Sequence, residues 1–118
     1  MCGFFVEIKK KRFLDIKKNF ISAAKLLNHR GDDKKTFFYD ENFRVNFFRL
    51  KIRDLSSNGR QPMFDNSGRY LIVFNGEIYN TPSLIKYLPG IKLRGHSDTE
   101  ILVNLYSKYK HRVLNMIE

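Results

Sequence analysis

The sequence has 118 residues and a mass of 14.0 kDa, the length of one domain or of a piece of one. Its 22 Lys+Arg against 12 Asp+Glu leave a net charge of +10, while 42% hydrophobic residues with 11 Phe and 6 Tyr exclude a disordered tail. Apolar runs no longer than Gly3–Val6 and Tyr70–Phe74 exclude a membrane-spanning helix, and the single cysteine, Cys2, excludes an internal disulfide framework and a multi-cysteine zinc site.

Glu7 and the Lys9-Lys10-Lys11-Arg12 run interrupt the N-terminus before a secretory apolar stretch develops, so a soluble, cytoplasmic chain is expected. The positive charge is front-loaded: residues 1–59 carry 14 basic and 7 acidic groups, residues 60–118 carry 8 and 5. Such clusters can displace counterions from a phosphate backbone, or can simply form a solvated face. No recognition helix, zinc finger or RNA-binding sheet signature accompanies them, and composition favours the solvated face.

Gly3–Ile8 is aromatic and β-branched, and predicts a buried strand that starts immediately after Cys2. Phe13, Ile16, Phe20, Ala23, Ala24 and Leu27 recur at three- and four-residue spacing, predicting a helix from about Leu14 to Asn28. Thr36–Tyr39 is β-prone and precedes a turn at Asp40-Glu41-Asn42. Phe43, Val45 and Phe47 then alternate with Arg44, Asn46 and Phe48, the period of a half-buried strand. Ser56–Gly59 and Asp65–Gly68 read as loops. Tyr70–Phe74 is the clearest strand signal and runs into Asn75-Gly76.

Thr81-Pro82 places an N-cap hydroxyl before a proline at the first helical position, and Pro89-Gly90 stops that helix early. Ser97-Asp98-Thr99-Glu100 reads as a capping box, the serine bonding forward and the glutamate reaching back. Ile101, Leu102, Leu105 and Tyr109 supply the buried stripe of the helix it opens, and residues 112–117 add a further turn or two. No repeat, low-complexity linker or second domain is visible. The class expected is α+β with a largely antiparallel sheet.

Cys2 carries the most chemical information. Removal of Met1 would leave a thiol and a free α-amine on one residue. An α-amino group titrates near ~7.7–8.0, so it can act as base for its own thiol. The bland alternative is an incidental cysteine at a terminus. Arg49 is a charge inside an apolar strand pattern, either snorkelling to solvent or fixed as a bidentate partner for a carboxylate. Asn75-Gly76 ends a strand, where a side-chain amide and an unshielded N–H can point at one atom as an oxyanion hole, or form an ordinary turn. Glu77 and Asp98 can jointly hold an ammonium, or serve as a solvated carboxylate and a first-turn helix charge. His29, His96 and His111 are widely spaced and show no metal-ligand pattern.

Six segments occur in order: Met1-Cys2-Gly3, His29-Arg30-Gly31-Asp32-Asp33, Arg49–Ser56, Gly59-Arg60-Gln61-Pro62-Met63, Val73–Asn80 and Ser97–Glu100. The series resembles the N-terminal glutaminase domain of glutamine-hydrolysing asparagine synthetases, class II glutamine amidotransferases with an N-terminal-nucleophile fold. The resemblance spans essentially the whole chain, and Phe74-Asn75-Gly76-Glu77-Ile78-Tyr79-Asn80 is its most specific part. Glutaminase domains of phosphoribosyl-amine and glucosamine-phosphate synthesis match less well, since they carry a Thr-Arg-Trp-Ala-Thr-His type segment and this chain has no tryptophan.

The resemblance implies stacked antiparallel sheets flanked by helices, in an incomplete N-terminal-nucleophile hydrolase domain over residues 1–118. It implies that Cys2 attacks the side-chain amide of glutamine, with Asn75 and Gly76 stabilising the oxyanion. Arg49 would grip the substrate α-carboxylate, and Glu77 and Asp98 its α-ammonium. No cofactor is expected in this segment; ATP and Mg would belong to a synthetase domain that follows in the family and is absent here. Neither nucleic acid nor membrane is an expected partner. The family's usual proline is replaced by Asp32, its serine or alanine by Lys51, and its second early glycine is missing from Phe4–Glu7. Without the family's later strands, the chain by itself is expected to be a poor glutaminase or none, and to self-associate. The alternatives are an inactive remnant and a basic binding module.

Overall fold

The computed structural model describes residues 2–9, 17–31, 36–52 and 54–118. It divides into two compact units, Met1–Lys51 and Ile52–Glu118.

The first unit is a three-stranded antiparallel sheet with one helix. Strand β1 (Gly3–Ile8) and β2 (Thr36–Tyr39) flank the central β3 (Phe43–Phe48), in the order β1-β3-β2. The register pairs Gly3 with Phe48 and Ile8 with Phe43 on one side, and Tyr39 with Arg44 on the other. The Asp40–Asn42 turn closes as expected, with Asp40 N donating to Phe43 O at 2.8 Å. Helix α1 (Lys17–Lys25) covers one face through Phe20, whose ring lies 5.1 Å from that of Phe5 and 5.7 Å from that of Phe37. The start expected at Leu14, with Phe13 and Ile16, lies outside the described residues. At its other end the α-helix stops at Lys25, before the expected Asn28, and a short 3-10 turn at Asn28–Arg30 follows.

The alternation in β3 suggested a half-buried strand. Arg44 through Phe48 are all buried; β3 is the central strand, and its Arg44, Asn46 and Phe48 face lies on the side that α1 covers. Of its polar members, Arg44 sits 3.7 Å from Glu7 across the β1 pairing, whereas Asn46 Oδ1 is buried with no hydrogen-bond partner among the described residues.

The second unit is built around α3 (Asp98–Tyr109), with a small antiparallel ribbon of β4 (Met63–Phe64) and β5 (Leu71–Ile72) and the short α2 (Thr81–Leu84). Ile101, Leu102 and Leu105 of α3 pack with Ile78, Leu84, Leu88 and Val113 in one core, and Tyr109 lies against it. Residues Asp98 to Leu105 are buried all round, so the opposite face of α3 buries polar groups as well. Those groups are used as ties. Asn104 accepts from Asn66 N at 2.9 Å and donates to Glu100 O at 2.8 Å.

The clear strand signal at Tyr70–Phe74 yields only Leu71–Ile72 in β5. Its partner β4 is two residues long, and Phe74 N donates to a side chain, Gln61 Oε1, at 2.6 Å rather than to a strand. The cap expected at Thr81 falls one residue earlier, on Asn80. The Asn80 side chain is engaged elsewhere, donating to Met116 O at 2.7 Å and accepting from Glu118 N at 3.2 Å. Pro89-Gly90 ends this helical stretch as expected, Gly90 taking φ +78°. The expected turn after α3 is a 3-10 segment at Lys110–Asn115.

Candidate active site

Two constellations carry the candidate residues, one in each unit. In the first, Cys2 directly precedes β1. Continuing the Gly3–Phe48 register by one step puts Cys2 opposite Arg49, and directly opposed side chains share a face. The half-buried thiol is held by the next main-chain group: Leu50 N donates to Cys2 Sγ at 3.3 Å, and the thiol donates to Leu50 O at 3.6 Å. Arg49 is 5% exposed, so it does not snorkel outward to solvent.

Two glycines explain how the His29-Arg30-Gly31 segment reaches this strand end. A β-carbon on Gly31 would lie 2.4 Å from the Arg49 carbonyl carbon and oxygen, so only glycine lets the two main chains approach this closely. A β-carbon on Gly3 would lie 2.9 Å from Arg30 Cβ, so the Arg30 stem occupies the space that Gly3 leaves open. The turn after α1 therefore braces both Cys2-Gly3 and Arg49.

In the second unit, Asn75, Gly76 and Glu77 are exposed, immediately after Phe74. A β-carbon on Gly76 would lie 2.7 Å from Phe74 Cζ, so the Phe74 ring floors the segment. At the far end, Ile78 N donates to Asp98 Oδ2 at 3.1 Å. Asp98 is 7% exposed and stands in the first turn of α3, where the aligned peptide dipoles favour a negative charge. Its other oxygen accepts from Thr99 N at 2.8 Å.

The loop leading into Asp98 is fastened by two carboxylates. Glu100, 0% exposed, accepts from Arg94 N at 2.8 Å, Arg94 Nε at 2.9 Å and Gly95 N at 2.9 Å. Asp54 accepts from His96 N at 3.0 Å with one oxygen, and from Ser56 N at 2.8 Å and Ser56 Oγ at 2.6 Å with the other. The capping box is thus half realised. Ser97 Oγ accepts from Thr99 N at 3.2 Å, but Glu100 reaches to residues 94 and 95. A fully buried carboxylate needs several donors, and the loop offers three.

Asp65 shows a clear electrostatic shift, away from the candidate residues. Burial alone would raise its pKa. Hydrogen bonds from the Ser67 hydroxyl, Tyr70 N, the Ser107 hydroxyl and Ser67 N outweigh burial and hold the carboxyl well below its ordinary range. This fixes the Asp65–Gly68 turn between β4 and β5, with Gly68 at φ +72°.

His29, His96 and His111 are all exposed, and among the described residues no group of His, Cys, Asp or Glu could hold a metal ion. No described helix is long and apolar enough to cross a membrane. The sequence singled out neither Glu100 and Asp54 as loop fasteners nor Gln61 as a structural bridge. Their only signal was a carboxylate or amide lying in or beside a motif, since the partners are up to 42 residues away.

The glutamine amidotransferase domain family matches residues 1–118. Asparagine synthetase [glutamine-hydrolyzing] 1 of Bacillus subtilis is 34% identical over 122 residues, covering 99% of this chain and 19% of the relative. Asparagine synthetase [glutamine-hydrolyzing] 1 of Lotus japonicus is 30% identical over 117 residues, with 99% and 19% covered. A protein named amidase chry2, of Gibberella zeae, is 38% identical over 91 residues, 75% of this chain and 14% of its own length. The chain spans about a fifth of the length of the two asparagine synthetases.

Proposed function

The chain belongs to the glutamine amidotransferase domain family, and from that premise we propose that it is the glutaminase portion of an asparagine-synthetase-type enzyme. The observation that carries the chemistry is the strand end in the first unit. There the chain's one cysteine sits opposite a buried arginine, its thiol held by the Leu50 main chain. A nucleophile and a carboxylate clamp on adjacent strand ends suit a small amino-acid substrate.

In this reading Met1 is removed, and the α-amine of Cys2 takes the thiol proton. The sulfur forms a bond to the side-chain amide carbon of glutamine, and the carbonyl electron pair moves onto oxygen. The Asn75 side-chain N–H and the Gly76 N–H stabilise that oxyanion. Collapse expels the amide nitrogen, which takes the proton from the α-amine and leaves as ammonia. Water then hydrolyses the thioester to glutamate and regenerates the thiol. Arg49 binds the substrate α-carboxylate through a bidentate fork, and Glu77 and Asp98 bind its α-ammonium.

The steps draw on no cofactor. In the whole enzyme the ammonia would serve asparagine formation on a synthetase portion. A catalytic free thiol suits the reducing cytoplasm, where we place the protein, and the fold would be of the N-terminal-nucleophile hydrolase type.

The test is covalent. An electrophilic glutamine analogue should add one mass increment to the chain, on Cys2, after mass spectrometry has shown Met1 removed. Excess glutamine should slow the labelling, and Cys2→Ala should abolish it. Labelling of Cys2→Ala at the parent rate would overturn the reading.

A further inference from the structure

The Gly59-Arg60-Gln61-Pro62-Met63 segment contributes no group to the chemistry above, yet its glutamine is 6% exposed and both ends of its amide are engaged. Gln61 Oε1 accepts from Phe74 N at 2.6 Å, and Gln61 Nε2 donates to Thr99 Oγ1 at 3.1 Å. The orientation of the amide is dictated by chemistry. Phe74 N can only donate, so it must face the oxygen, and Thr99 Oγ1 must accept from the nitrogen. The threonine hydroxyl hydrogen is then left to Asp98 Oδ1, a long contact at 3.4 Å. Thr99 N fixes the same oxygen at 2.8 Å, and Asp98 Oδ2 takes Ile78 N at 3.1 Å.

These bonds close a ring. It runs from Phe74 N to Gln61, to Thr99, along the chain to Asp98, and back to Ile78 N. The residues it encloses are Asn75, Gly76 and Glu77, the exposed segment between two pinned amides. An exposed segment containing glycine has many conformers to lose, and pinning both flanks removes most of that freedom before a ligand arrives. The Gln61–Thr99 and Asp98 bonds are buried, and the Gln61–Phe74 bond is partly so; in such surroundings hydrogen bonds are stronger and an orphaned partner is costly.

We infer that Gln61 and Thr99 are positioning residues: together they clamp the Asn75-Gly76-Glu77 segment and orient the Asp98 carboxylate, without touching substrate. The clamp's service to glutamine rests on the function proposed above; the clamp itself does not.

Three variants of the full chain test this: Thr99→Val, Thr99→Ser and Gln61→Leu, read by amide hydrogen exchange and by the kinetics of the glutamine-analogue label. Thr99 does not touch Phe74, and Gln61 does not touch Ile78. A coupled ring nevertheless requires Thr99→Val to speed exchange at Phe74, and Gln61→Leu to speed it at Ile78. Each effect should be on the order of tenfold, the loss of about one buried hydrogen bond. Thr99→Ser keeps the hydroxyl and should exchange like the parent. In labelling, Thr99→Val and Gln61→Leu should each impair both analogue binding and the bond-forming rate, because the ring carries either loss to Asn75-Gly76 and to Asp98, while Thr99→Ser should label like the parent.

Parent-rate exchange at Ile78 in Gln61→Leu and at Phe74 in Thr99→Val would overturn the clamp. So would a Thr99→Ser protein that behaves like Thr99→Val, since the hydroxyl would then be irrelevant. If Gln61→Leu fails to fold, the two threonine variants decide alone. A parent whose label is not slowed by excess glutamine, or is kept in Cys2→Ala, overturns the glutaminase reading, and the exchange measurements still decide the clamp.

Discussion

Replacing Glu100 by glutamine changes one oxygen to an amino group, and the structure sets the penalty. The two carboxylate oxygens receive three donors: Arg94 N and Arg94 Nε on Oε1, and Gly95 N on Oε2. An amide retains one acceptor. Its better orientation keeps both Arg94 bonds and turns its NH2 against the Gly95 N–H, which loses its partner. That costs about 1–3 kcal/mol, and neutralising the acceptor weakens the two remaining bonds by roughly another 1 kcal/mol. The sum is about 2–4 kcal/mol, against a total stability of only about 5–15 kcal/mol for a typical domain.

The Arg94 ion pair is the competing explanation. The Arg94 side chain is 48% exposed, so solvent screens it, and such a pair contributes about 0–1 kcal/mol. Arg94→Ala should therefore cost less than Glu100→Gln, even though it also removes a bond to Phe64 O at 2.7 Å. Urea unfolding followed by circular dichroism measures both. With a slope near ~1–2 kcal/mol/M for a small unit, the Glu100→Gln midpoint should fall by about 1–4 M. Equal losses in the two variants, or a larger one in Arg94→Ala, would show that charge pairing and not main-chain donors holds this loop.

Arg49→Lys should weaken binding of the glutamine analogue by about tenfold or more with a smaller change in the bond-forming rate, because lysine keeps the charge and loses the fork; unchanged binding would remove Arg49 from the site. Gly31→Ala should lower unfolding stability by about 1–3 kcal/mol, since its β-carbon would meet Arg49 main-chain atoms at 2.4 Å and main chain cannot swing aside; a parent-like urea midpoint would contradict this. Asp65→Asn should be less stable than the parent at neutral pH. The folded pKa of Asp65 is depressed, so its contribution is fully present above the unfolded value of ~3.9 and is lost as pH falls below it. The gap between parent and variant should accordingly narrow from pH 7 to pH 3, and a gap that widens would reverse the sign of the argument.

What the sequence determined by itself was whatever depends on neighbours along the chain. Gly3–Ile8, Thr36–Tyr39 and Phe43–Phe48 are strands where their residue types and alternation put them, and Pro89-Gly90 ends a helix because proline and glycine act locally. The chemical types of the candidate residues were equally legible: a lone cysteine at the start of a strand, an arginine at the end of another, an amide-glycine pair after a third.

Contacts between distant residues decided the rest. Tyr70–Phe74 has strand composition throughout, but a strand extends only as far as its partner does. The Phe74 amide was taken by Gln61, 13 residues earlier. Asn80 caps α2 only through its main chain, because its side chain is drawn to the segment around Met116. Glu100 has the spacing of a capping box, yet three donors in the preceding loop outbid the single main-chain N–H that the motif offers. Gly31 reads as a loop glycine, and its need to be glycine is visible only against the Arg49 carbonyl 18 residues on. A local pattern states what a residue can do; which of its options is taken depends on the donors, acceptors and free volume that folding brings beside it.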